Sequence, residues 1–243
     1  MVRRVPASVE KGFHRIAWDM RYPPLQPISL SQPEGYIPPW GHPPKGPLAL
    51  PGQYTATLKK RQLSKVEDLS EPRAFTLRLL SNSTEIASDR QALLTAQAKA
   101  GDLYRRVQGA SRSYDELVSR VEHLKQAMVE TVDSSEQQAQ KVRALNETLV
   151  DASLLLNGDR TISSRQEPVP WSVVGRTSFI YGSIVNSQFK VSGNHLSSLA
   201  IAESEYQRVA AMMQEVDTGL TALETELEQL KAQWTPGRIP ASF

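Results

Sequence analysis

Residues 201–234 read IAESEYQRVAAMMQEVDTGLTALETELEQLKAQW, and this stretch decides the architecture. Ala202, Tyr206, Val209, Met213, Val216, Leu220, Leu223, Leu227, Leu230 and Trp234 follow one another in steps of four and three. That spacing lines them up on one face of a helix, while the six glutamates from Glu203 to Glu228 fall mostly off it. The stripe predicts a helix over about 197–234, stopped by Pro236-Gly237.

Working back along the chain, the same period recurs twice. Leu103, Val107, Ala110, Tyr114, Leu117, Val121, Leu124 and Met128 form a second stripe, on a helix expected over about 88–131. Ser88-Asp89 offers its N-cap. Ala139, Val142, Leu145, Leu149, Ala152 and Leu156 form a third, over about 135–157. A turn at Asp133-Ser134-Ser135-Glu136 precedes that helix, and Asn157-Gly158-Asp159 ends it. Residues 160–175, with Pro168 and Pro170, read as loop. Residues 177–191 read as a short helix burying Ile180, Ile184 and Phe189. Short connections between long striped helices predict an antiparallel bundle over 81–243. The alternative use of such a narrow stripe is a homodimeric coiled coil through the 202–234 helix.

The first eighty residues differ in kind. Twelve of the 16 prolines lie before Ser81, ten of them from Pro23 to Pro51, which excludes helix there. Around this loop the period drops to two: Ile16, Trp18 and Met20; Tyr54, Ala56 and Leu58; Phe75, Leu77 and Leu79. Pro51-Gly52 signals a turn before the second run, and Arg61 to Ser70 reads as a polar hairpin connection before the third. These signs predict a small immunoglobulin-like antiparallel β-sandwich over 1–80 with a long loop over 23–51. The fold class is therefore α+β, a sandwich followed by a helical bundle.

Composition excludes several chemistries. The absence of cysteine removes disulfides, thiolate nucleophiles, cysteine-held zinc and iron–sulfur clusters. His14, His42, His123 and His195 show no metal-ligand spacing and no His-Glu motif. There is no phosphate-cradling glycine loop and no nucleophile elbow. Asp19 with Glu34 could be imagined as a glycosidase pair, but Asp19, at a strand end, reads better as the cap of a turn. No catalytic, cofactor-binding or metal residues are assigned. Asn82-Ser83-Thr84 and Asn146-Glu147-Thr148 match the glycosylation triplet, a pattern that chance supplies freely. Residues 1–80 carry 12 Lys+Arg against 6 Asp+Glu, a net +6, with no basic cluster interleaved with aromatics, so nucleic acid is not an expected partner. No apolar run is long enough to span a bilayer, and the start, Met1 to Pro6, does not read as a secretory signal.

Two motifs carry a resemblance. Gly12-Phe-His-Arg15-Ile-Ala-Trp18-Asp19-Met-Arg21 fits a G-x-x-R-x-x-W-D-x-R strand, and Pro51-Gly52-Gln-Tyr54-Thr-Ala-Thr-Leu58 fits P-G-x-Y-x-x-x-L. Joined by a proline-rich loop and followed by helices, they resemble the region after the β-propeller in bacterial sortilin-like proteins. Those proteins are built from sialidase-type repeats and are often labelled glycosyl hydrolases. Glu71-Pro72-Arg73, just before the third run, departs from that family's order. The resemblance implies a non-catalytic accessory module whose partner is a β-propeller, in the same chain or another, and an exported parent in the periplasm or outside the cell. Ligand binding and hydrolysis would belong to the propeller. The alternative is a free-standing structural protein that oligomerises through its last helix.

Overall fold

The computed structural model describes residues 1–25, 45–79 and 89–237. The chain is mixed α/β, dominated by helix: among the described residues, four strands in two small antiparallel sheets precede five helices. The described residues divide into two compact units. The β unit holds Met1–Pro24, residues 45–79 and 89–98, and Ile184–Val191; the helical unit holds Leu25, Lys99–Ser183 and residues 192–237.

In the helical unit, α1 (Arg90–Glu130) supplies residues 99–130, beside α2 (Glu136–Leu156), α3 (Arg160–Ser164), α4 (Val173–Ile184, to Ser183) and α5 (Gly193–Gln229). The three stripes form its core: Leu103, Val107, Val121 and Leu124 of α1, Val142, Leu149 and Leu156 of α2, and Val209, Val216, Leu220 and Leu227 of α5 are all buried. Each such side chain contributes about 1.5–3 kcal/mol of burial. The ion pairs give the helix directions. Lys99 meets Glu203 and Arg120 meets Glu224, so α1 and α5 run parallel and in step. Lys141 meets Glu226 while Leu145 packs on Gly219, so α2 runs antiparallel to α5.

The 41 residues of α1 extend for about 60 Å, whereas the 21 of α2 cover about half of that. The remaining half is taken by α4. Its Tyr181 stacks on Tyr104 at 4.6 Å, and its Arg176 and Phe179 lie beside Glu205 and His195 of α5. Two short helices, end to end, thus make the third column of the bundle. Residues 157–172 bridge the break between them.

Local chemistry sets the helix ends. Ser135 and Gln138 form a reciprocal capping box at the start of α2. The Thr131 and Ser134 hydroxyls donate to the Ala127 and Met128 carbonyls at the end of α1. Asp159 accepts from the Thr161 and Ile162 amides, which winds the single turn α3 in a stretch expected to be loop.

Two helices differ in their bounds from the sequence reading. The short helix runs Val173–Ile184 rather than 177–191: Ser172 Oγ accepts the Gly175 amide at its start. Its end lies in the β unit, where the buried Gln97 carboxamide donates to the Ile184 and Ser187 carbonyls. Phe189, expected to be buried, is exposed. The last helix stops at Leu230, short of Trp234. Lys231 turns left-handed (φ 58°), and the amides of Lys231 and Ala232 return to the Glu228 and Leu227 carbonyls in a Schellman motif.

In the β unit, β1 (Gly52–Ala56) pairs antiparallel with β4 (Arg73–Leu77), and β2 (Lys59–Gln62) with β3 (Lys65–Asp68). Tyr54 stands opposite Phe75, and Lys59 opposite Asp68. The Leu69 amide donates to the Leu58 carbonyl and the Leu58 amide to Ser70 Oγ, so the sheets continue one another as a bent, two-stranded ribbon. The expected polar connection of residues 61–70 is itself ordered as a hairpin. Its cross-strand charges match, with Lys59 and Asp68 2.7 Å apart. The turn places Leu63 at φ 55°, a conformation that hairpins need and that leucine adopts reluctantly.

The Ile16–Met20 run forms no strand. Met20 is left-handed (φ 58°), Asp19 Oδ1 accepts the Arg21 amide, and Trp18 Nε1 donates to the Arg21 carbonyl. The segment is therefore a turn. Beyond it the chain makes one short antiparallel contact, with Tyr22 N bonded to Pro47 O and Ala49 N to Met20 O. Gly46 sits so close to it that a Cβ there would lie 2.2 Å from the Tyr22 carbonyl oxygen.

Candidate functional site

The residues that carry the two sequence motifs come together in the β unit. Trp18 lies over the β1–β4 pair, with its ring 5.7 Å from Tyr54 and 6.1 Å from Phe75; those two rings are 5.9 Å apart and stacked. Burial, and then the nearby Tyr22, push the Tyr54 phenol above its ordinary range. The Tyr54 hydroxyl donates to the Leu50 carbonyl at 2.5 Å.

Polar bonds anchor the cluster. Asp19 Oδ1 accepts from Arg3 Nη1 at 2.7 Å as well as from the Arg21 amide, the turn-capping role expected for it. Arg21 Nη1 donates to the Gly46 carbonyl and to Asn186 Oδ1. The arginine and aspartate of the Trp-Asp motif thus hold the backbone in place. Apolar cover is incomplete: Ile16 and Met20 are each 48% exposed, Phe75 is 39% exposed, and Leu58 and Val66 are also open to solvent. The β unit thus combines an aromatic cluster with several exposed aliphatic side chains.

The other sequence candidates stay apart. His14 donates to the Glu10 carbonyl, His123 to the Ser119 carbonyl, and His195 lies 2.7 Å from Ser192 Oγ at the start of α5. His42, Glu34 and the Asn82 triplet lie outside the described residues. Asn146 accepts from Lys125 Nζ within the bundle. Among the described residues no three His, Cys, Asp or Glu groups gather as metal ligands, and no helix is long and apolar enough to cross a membrane.

The helical unit has features that sequence reasoning missed. Arg120 of α1 clasps Glu224, whose side chain is 1% exposed, through Nε and Nη2 at 3.1 and 2.9 Å, and also reaches Asp217 and Thr221. Glu224 stands next to the stripe residue Leu223, and this position was the available signal. A cleft of about 210 Å³ opens where the third column breaks, between Asn157, Asp159, Ser163, Trp171, Ser172 and their neighbours. Its Asp159 and Ser172 side chains already cap α3 and α4. A larger hollow of about 490 Å³ lies at the α1–α2 turn, lined by Met128, Val129, Ala139 and Val142 with Lys125 and Arg143.

No protein-family model, curated protein or solved structure matches the chain.

Proposed function

We propose that this chain is a non-catalytic interaction module, in which the helical unit is a self-sufficient bundle and the β unit is a docking element. The observation that carries this reading is the half-exposed Trp18–Tyr54–Phe75 cluster on a two-stranded ribbon. An isolated two-stranded hairpin is marginal in water, so a third layer is needed to bury its apolar face. The partner is a β-propeller of the sortilin-like, sialidase-repeat kind, carried by a neighbouring subunit or a longer form of the same chain. The immunoglobulin-like sandwich belongs to this reading, with the ribbon as one layer completed on docking. Two of the three cluster rings, Trp18 and Tyr54, come from the two motifs that resemble that family, which supports the assignment. Ligand binding and any hydrolysis reside in the propeller.

The test is co-expression with a propeller-encoding neighbouring reading frame. Co-purification is expected, with loss on Ile16→Asp or Phe75→Ala while helical circular dichroism is unchanged. A propeller that binds both variants as well as it binds the native chain overturns the docking surface. Saturable cleavage of a chromogenic glycoside by the isolated chain, abolished by Asp19→Asn, overturns the non-catalytic reading.

A further inference from the structure

The strands of the ribbon differ in how their edges are guarded. Natural edge strands are protected against pairing by charges, prolines or bulges. Here β2 carries Lys59, Lys60 and Arg61, β3 carries Lys65, Glu67 and Asp68, and β4 carries Arg73. In contrast, β1 reads Gly52-Gln53-Tyr54-Thr55-Ala56 and carries no charge, and neither do Thr57 and Leu58 after it; a proline precedes β1 and β4 alike, at Pro51 and Pro72. Among the described residues β1 pairs only with β4, so alternate residues turn their N–H and C=O groups toward an edge where nothing described is paired. Gly52, Gln53, Thr55 and Ala56 are all exposed.

We infer that the β1 edge left unpaired among the described residues is where a second copy of this chain pairs, antiparallel and about a two-fold axis. This surface is independent of the docking face described above. A two-fold interface must be self-complementary, and an uncharged strand meets that condition where β2, rich in like charges, would not. Tyr54 is the middle residue of β1, so full overlap sets Tyr54 against Tyr54 of the second copy, Gln53 against Thr55, and Gly52 against Ala56. A Gln–Thr cross-strand pair already exists within the chain, where Thr76 Oγ1 donates to Gln53 Oε1 at 3.1 Å. With the axis perpendicular to the sheet, both Trp18–Tyr54–Phe75 clusters fall on the same face, and each extends the apolar layer of the other. Residues 1–80 carry a net +6, so the copies repel at long range and association strengthens as salt screens that charge.

Sedimentation velocity on the whole chain over a concentration series tests this. A reversible dimer is expected, tighter at high salt. Gln53→Lys with Thr55→Lys places lysine opposite lysine twice and weakens the dimer about tenfold. Gln53→Glu with Thr55→Lys sets opposite charges in the same places and restores it. A monomer at every concentration, or equal weakening by both doubles, overturns the proposal. Should either double loosen the ribbon, amide exchange of the native chain decides: β1 amides that gain protection with concentration support the pairing, and unchanged amides overturn it.

Discussion

The two units handle their apolar side chains in opposite ways. In the helical unit Val107, Leu124, Leu156, Val209 and Leu220 have essentially no exposed surface, because three columns close around one seam. In the β unit Ile16, Met20, Leu58 and Phe75 remain open: a two-stranded ribbon has two faces, and among the described residues Trp18 is the aromatic ring that packs on Tyr54 and Phe75. A helix satisfies its own backbone and needs only its stripe covered, whereas a strand needs neighbours for its backbone and a second layer for its side chains. The helical unit therefore buries its stripes within itself, whereas the β unit leaves apolar side chains exposed.

The comparison is broken most severely at Arg120. Arg120→Ala strips the buried Glu224 carboxylate of its guanidinium bonds and is expected to cost about 4 kcal/mol, read from the urea midpoint of the helical signal. Leu220→Ala, a cavity in the same seam, is expected to cost about 3 kcal/mol by the same measurement. Gly46→Ala acts on the other unit. Its methyl group collides with the Tyr22 and Pro23 carbonyls, and about 2 kcal/mol of local strain is expected. Hydrogen exchange should then quicken at the Tyr22 and Ala49 amides, with core amides of the bundle unchanged.

The smallest effect is electrostatic. Bonds from Arg105 and Arg106 hold the Asp102 carboxyl below its ordinary range, and a bond from Lys141 does the same for Glu226. A carboxyl depressed in the folded state adds stability above its unfolded pKa, near pH 4, and loses it as the pH falls through the folded value. Both groups are partly exposed, so a few tenths of a kcal/mol are expected to vanish between about pH 4 and pH 2. Asp102→Asn with Glu226→Gln should flatten that slope in acid urea titrations.

The sequence revealed the bundle because burial there repeats with the period of the helix itself. Ala202, Val209, Met213, Val216, Leu220, Leu223 and Leu227 are all buried as their spacing predicts. It overran α5 because Leu230 and Trp234 keep the period, while a left-handed Lys231, which has no residue signature, ends the helix. It misread Ile16–Met20 because alternation does not register a side chain bonding its own backbone: Asp19 and Trp18 bend the run that their neighbours pattern as a strand. Asp19 was read correctly as a turn residue for the same chemical reason. The break in the third column was invisible, since the shortness of α2 matters only beside the full length of α1.

The parallel, in-step arrangement of α1 and α5 also has a mechanical meaning. The start of the α1 portion in this unit and the end of α5 lie at opposite ends of the rod. Tension applied between them loads the Lys99–Glu203 and Arg120–Glu224 links in shear, all at once, rather than peeling them one after another. Such a geometry resists traction along its length and yields to a sideways pull, the behaviour of a tie-bar.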